Sequence, residues 1–205
     1  DYTVDGLGML ETRTRQGLFG IDFENGDRFF GGATDNYEFL KEPFEIARDI
    51  AIPVDGYSFL NTRLVYALGN QRNLSGAFTF DRGGFYGGKR TSVGYFNGRI
   101  VVSPKLTFEP SVSFNWINLP QGTFTTELLA IRSTYTMTPR MFAAALVQLN
   151  TNTESLSTNV RFRWEYQPGS ELFVVYTDER DTLTPSFPGL ENRALVVKLT
   201  RLFRF

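Results

Sequence analysis

The sequence predicts an all-β chain: an antiparallel up-and-down transmembrane β-barrel, with about 10–12 strands within these residues and more supplied from outside them. Three observations lead there. Segment after segment alternates between apolar and polar side chains with a period of two, as a strand with unlike faces requires. Aromatic residues recur near the ends of those segments, where a membrane barrel carries its interfacial girdles. The final segment runs apolar on one parity up to Phe205, the last residue. All of residues 1–205 read as one barrel segment, with looser strands and a long loop over 1–56 and a regular meander over 57–205.

The first strand signal is Gly17–Phe23, with Phe19, Ile21 and Phe23 on one face. Asn25-Gly26 then supplies a hairpin turn before Arg28-Phe-Phe30. The charged stretch Asp35–Asp55 reads either as a short helix around Tyr37–Leu40 or as a long loop, and Ile52–Gly56 as the entry to the next strand. From Tyr57 the alternation is regular. Leu60, Leu64, Tyr66 and Leu68 oppose Asn61 and Arg63. Leu74, Phe78 and Phe80 oppose Ser75, Thr79 and Asp81.

Over Leu106–Trp116, Phe108, Pro110, Val112 and Phe114 share a face with both end residues, and Lys105, Thr107, Glu109 and Ser111 share the other. Val160, Phe162, Trp164 and Tyr166 alternate with Arg161, Arg163, Glu165 and Gln167. Less regular strands are expected at Arg90–Ser103, Thr123–Met137, Met141–Asn150, Glu171–Arg180 and Ala194–Phe205, where bulges would break the period. About eleven strands result, and an odd count points to upstream strands, because single-chain bacterial barrels close with an even number.

The connections support this order. Gly69–Arg72, Ser103-Pro-Lys105, Thr138-Pro-Arg140 and Gln167-Pro-Gly-Ser170 have the Pro and Gly of tight turns. The alternate connections, Asp81–Lys89, Asn118–Gly122, Asn150–Ser155 and Asp181–Asn192, read as longer loops. Short turns at one end and longer loops at the other describe an outer-membrane barrel whose last strand runs toward the periplasm.

Composition restricts function more than fold. Net charge is −1, with no basic field to attract nucleic acid. The chain has no cysteine and no histidine, which removes thiolate and disulfide chemistry and the commonest general base and metal ligand. Mean hydropathy is −0.20. That value suits a barrel, because a spanning strand of about 9–11 residues turns only half its side chains to lipid. No signal peptide is visible and the chain starts at Asp1, so it reads as a processed product or a piece of a longer protein.

Several motifs, in order, resemble one family: Phe39-Leu-Lys-Glu-Pro-Phe44, Ile52-Pro-Val-Asp-Gly-Tyr57, Gly84-Phe-Tyr-Gly-Gly88, Leu119-Pro-Gln-Gly-Thr-Phe124, Arg163-Trp-Glu-Tyr-Gln-Pro-Gly-Ser170 and Val174-Val-Tyr176. The family is a domain of unknown function, DUF5916, and the resemblance covers Glu38 to Phe205. It implies an outer-membrane barrel. Its members are longer and often carry an N-terminal carbohydrate-binding domain similar to family 9 modules, which is not visible in this chain. The resemblance therefore implies that this chain is the C-terminal part of such a protein, and it supplies no catalytic residues.

The candidate functional residues are few. Arg63, Arg99, Lys105, Glu109, Arg161, Arg163 and Glu165 are expected to line a polar lumen, as an anion-attracting ladder or as a neutral set paired through Glu165, Glu109 and Asp81. Phe203 and Phe205 are expected to form an assembly signal for the barrel-insertion machinery, although Arg201 interrupts their parity. Asp178-Glu-Arg-Asp181 could be read as a calcium site or an acid/base pair, but a solvated loop entry explains it better. No cofactor, metal site or catalytic group is assigned, and no enzyme is expected.

Two function classes remain open. The first is a bacterial outer-membrane barrel acting as a pore, a conduit or an anchor for an upstream domain. Its partners would be outer-membrane lipid, the insertion machinery, and upstream strands of the same protein or other envelope proteins. The second is a soluble β-barrel or sandwich that binds an apolar ligand or protein partner.

Overall fold

In a computed structural model of the chain, residues 1–183 and 189–203 are described, and every regular element among them is a strand. The strands are β1 (Tyr2–Val4), β2 (Leu10–Asp22), β3 (Arg28–Phe39), β4 (Phe44–Ala47), β5 (Ile50–Ile52), β6 (Gly56–Leu68) and β7 (Leu74–Phe85). They continue with β8 (Gly88–Ser103), β9 (Leu106–Leu119), β10 (Gly122–Thr138), β11 (Met141–Asn150), β12 (Ser155–Gln167), β13 (Ser170–Asp181) and β14 (Gly189–Thr200).

Twelve strands form one sheet in the order β1-β2-β3-β6-β7-β8-β9-β10-β11-β12-β13-β14, which is not closed; β4 and β5 form a separate hairpin. Twelve strands lie in this sheet among the described residues, within the 10–12 expected, and their even number removes the odd count from the argument for upstream strands. The chain divides into two compact units. The first comprises Asp1–Gln71, Gly76–Phe96 and Ser113–Thr126, and the second Arg72–Ser75, Asn97–Val112 and Glu127–Phe205.

In the first unit the register sorts side chains onto two unlike faces. One row across β2, β3, β6 and β7 reads Ile21, Phe29, Tyr66 and Phe78, and the next Phe19, Gly31, Leu64 and Phe80. The rows of the other parity lie on the other face: Gly20, Phe30, Val65 and Thr79, then Leu18, Gly32, Arg63 and Asp81, then Gln16, Thr34, Asn61 and Gly83. The alternation read around Leu60–Tyr66 is thus the alternation of the sheet.

Residues Tyr37–Phe39, where a helix or loop was entertained, belong to β3. The ladder to β6 runs without interruption from Arg28↔Ala67 to Phe39↔Gly56, and those backbone bonds exclude a helical turn.

The Gly-rich stretch Asp81–Lys89, expected as a long loop, is mostly strand. β7 continues to Phe85, β8 begins at Gly88, and only Tyr86-Gly87 turns. Both turn residues have positive φ, 44° and 80°, which matches the type I′ turn that fits the twist of a hairpin. Gly83 serves close approach rather than looping, since a Cβ there would collide with the Leu60 carbonyl. The Asn118–Gly122 connection likewise shrinks to Pro120-Gln121.

The β4–β5 hairpin, missed in the sequence, builds the only cluster of buried apolar residues among the described part of the chain. Ile52 is 0% exposed and packs with Ile117 and Leu119. Leu40, Ile46, Ile50, Tyr57, Phe85 and Phe124 surround them. Ile117 and Leu119 have the parity of Asn115, opposite to Trp116, so the polar face of β9 becomes apolar at this end. Asp49, with φ 62°, makes the turn between β4 and β5. Tyr86 closes the edge of the cluster and donates its hydroxyl to Glu38 at 2.5 Å. Burial, and then this bond, push the phenol pKa well above the ordinary tyrosine value.

The second unit repeats the two-faced pattern. Across β11 to β14 the rows Ala143, Phe162, Val174 and Val197, and Met141, Trp164, Leu172 and Leu199, are wholly apolar. Ala145, Val160, Tyr176 and Leu195 continue that face. On this face Trp164 (44%), Leu195 (67%) and Leu199 (69%) are exposed, and Phe162, Leu172 and Val174 are half-buried. The strand expected over Ala194–Phe205 stops at Thr200, because its partner ends there in the pair Glu171↔Thr200. The backbone of Leu202 instead donates to the Ser170 hydroxyl at 3.0 Å.

Candidate functional site

The polar face of β10–β13 carries a candidate site. β11 contributes the run Met141-Phe-Ala-Ala-Ala-Leu-Val147, and its even positions point to this face. Register then places three rows side by side. Phe142 lies beside Arg163, and Arg163 beside Phe173. Ala144 lies between Thr134 and Arg161. Leu146 lies between Arg132 and Asn159. A methyl at Ala144, where its neighbours have long side chains, leaves a hollow of about 320 Å³ bounded by Arg132, Phe142, Asn159, Arg161 and Phe173.

The charges around this hollow are unequally matched. Arg163 pairs with Glu171 at 2.8 Å. Arg132 reaches Glu109 at 3.7 Å, with its side chain 55% exposed. Arg161 bonds through Nε to the Asn159 amide oxygen at 2.8 Å, and among the described residues no carboxylate pairs with it.

A second hollow, of about 230 Å³, lies on the polar face of the first unit between Gln16, Thr34, Asn36, Asn61 and Arg63. Two arginines line it: Arg63 meets Asp81 across β6 and β7 at 3.5 Å, and the Arg90 guanidinium lies 4.7 Å from the centre of the Phe85 ring.

The seven residues expected to line a lumen are divided between the two units. Arg63 lies in the first unit and pairs with Asp81, one of the three carboxylates named for the set as a whole. In the second unit Arg161 and Arg163 share a face, and the Arg132–Glu109 ion pair ties Glu109 to the same neighbourhood. Glu165 does not pair with Arg163; its carboxylate accepts from the backbone N–H of Gly169 at 3.1 Å, closing the β12–β13 turn.

Lys105, expected on the polar face of β9, sits in the Pro104-Lys105 turn, where its carbonyl accepts from the Thr136 amide. Arg99 lies in β8, one of the strands expected to be less regular, just past Asn97, whose left-handed backbone (φ 52°) interrupts the pleat. Sequence reading missed Arg132, Thr134, Phe142 and Phe173. Each lies in a segment without strict alternation, so only the register of its neighbours reveals its face.

The Asp178–Asp181 cluster is an ion-pair network. Asp178 is 7% exposed and accepts from Arg180, from Arg193 and from the Tyr176 hydroxyl. Glu179 projects to the other face, where it accepts from Asn192. Asp181 caps the backbone of Leu183. Among the described residues no group of carboxylates could hold a metal ion.

Phe203 is described and 63% exposed, with the Arg201 guanidinium 5.0 Å from its ring centre. Phe205, the other half of the expected assembly signal, lies outside the described residues. Comparisons with family models, with curated proteins and with solved structures returned no match.

Proposed function

We propose that this chain is a segment of a bacterial outer-membrane β-barrel that serves as a pore, a conduit or a membrane anchor for an upstream domain. The observation that carries the reading is the exposed apolar face of β11–β14, with an amide- and charge-bearing face behind it. In water such a surface exceeds what monomeric proteins leave exposed. In a bilayer it is the surface a barrel needs, with its polar side turned inward.

A soluble sandwich would bury one face of each sheet against the other. Among the described residues only Ile52, Ile117 and Leu119 are buried apolar side chains, far fewer than such a core requires. Antiparallel strands of 10 to 17 residues from β6 onward are also long enough to span the apolar band when tilted.

The same reading makes the partners lipid, the insertion machinery that would recognise the C-terminal aromatic segment, and upstream strands or other envelope proteins. It assigns no catalytic activity. Membrane fractionation of cells producing the protein tests it. The chain should stay in the outer-membrane pellet through high salt and alkaline carbonate, and leave it only in detergent. Recovery as a monomer in detergent-free buffer would refute the proposal.

A further inference from the structure

We propose that the hollow on the polar face of β10–β13 binds a small aromatic carboxylate. Three observations converge on that chemistry. The hollow holds about 320 Å³, room for a single-ring molecule and near the lower end of ligand-site sizes. Its walls are Phe142 and Phe173, standing on either side of Arg163 in one row, and Ala144 forms its floor. The two rings lie two strands apart on one face and offer a flat apolar body aromatic surface on which to lie, since ring faces and edges attract one another.

The third observation is Arg161. Its neighbours on this face, Arg163 and Arg132, each have a carboxylate, Glu171 and Glu109. Among the described residues Arg161 has the Asn159 amide oxygen alone, on Nε. Its terminal nitrogens are left to present a planar fork of donors, which matches the two oxygens of a carboxylate. One unmatched cation balances one negative charge, so a monocarboxylate fits better than a phosphate dianion. The Thr134 hydroxyl stands in the same row, two strands from Arg161. The site deepens the membrane reading, in which this face lines a wet lumen.

Calorimetric titration of the refolded full chain in detergent tests the site with three probes: benzoate, benzyl alcohol (the same ring without charge) and acetate (the charge without the ring). Benzoate should bind tightest. Arg161→Gln should weaken benzoate about tenfold or more, the loss of one charge-assisted bond pair, and leave benzyl alcohol unchanged. Arg161→Lys, which keeps the charge but not the fork, should fall between. Ala144→Leu should abolish both by filling the floor. Far-UV circular dichroism identical to the parent confirms that each variant folds.

Equal affinity for benzoate and benzyl alcohol would overturn the proposal, as would an Arg161→Gln variant that binds benzoate like the parent. Failure of the membrane reading would show separately, as a chain soluble without detergent.

Discussion

Val174 offers the sharpest test of which face meets lipid. It lies on β13 between Phe162 and Val197, within the apolar rows. β13 has 12 residues. At about 3.3 Å per residue and a tilt near 45°, they span about 28 Å along the membrane normal, close to the ~25 Å apolar band of a barrel. Val174 is four positions along the strand from Ser170, which places it about 9 Å above that end and within about 5 Å of the midplane. Val174→Arg should therefore destabilise the folded protein by about 2–4 kcal/mol in lipid.

Ser157→Arg is the matched control. Ser157 lies on the opposite face, between Gln148 and Glu179, and a cation there should cost no more than about 0.5 kcal/mol. Urea titration of both variants refolded in phosphatidylcholine vesicles, followed by tryptophan fluorescence and by the gel shift of the unheated protein, gives the two values. A cost below about 0.5 kcal/mol for Val174→Arg, or an equal cost for both, would refute the assignment of faces.

Three further outcomes are expected. Ile52→Ala should lower stability by about 2–5 kcal/mol, because Ile52 is fully buried under the hairpin; hydrogen exchange should localise the loosening to β4, β5 and the end of β9. Tyr86 should be the last tyrosine to ionise in an ultraviolet absorbance titration. Its raised pKa means that its contribution is complete below the ordinary tyrosine value of 10.0 and is lost as pH climbs through the higher folded value; Tyr86→Phe should abolish that late step and cost about 1–3 kcal/mol at neutral pH. Phe203→Ala should change urea stability by less than about 1 kcal/mol, since the ring is mostly exposed, while reducing outer-membrane yield in cells severalfold; normal yield would remove the assembly-signal reading.

The legible part of this fold was the part that alternates strictly. Val160–Glu165 contains one polar residue for each apolar one, so its two faces follow from the pleat alone, and the register confirms them. Asp81 as the counter-charge of Arg63 was also accessible, because the two strands are joined by a short turn.

What the sequence hid depends on pairing rather than period. Glycines at 83, 84, 87 and 88 look like loop, yet only Tyr86 and Gly87 bend the chain, while Gly83 admits a close neighbour. Ile117 and Leu119 break the parity of their own strand because a hairpin distant in sequence covers them. Arg163 prefers Glu171 on the next strand to Glu165 on its own, a choice that only register makes visible.

The three alanines of β11 bear on how the sheet assembles. Ala143 and Ala145 sit on the apolar face and Ala144 on the other, and Phe142 and Leu146 are apolar as well. Slipping this strand by one position would exchange like for like over most of its length, so its own side chains scarcely specify its alignment. The information must come from outside it. The Pro139-Arg140 turn fixes one end, with the Arg140 amide on the Thr138 hydroxyl. The charges of β12 fix the other side, since Arg161 and Arg163 tolerate only one face. β11 is thus a strand without a preference, clamped between neighbours that have one. Mistakes in threading this protein should begin there, and a single lysine at position 144 would be enough to give the strand a memory of its own.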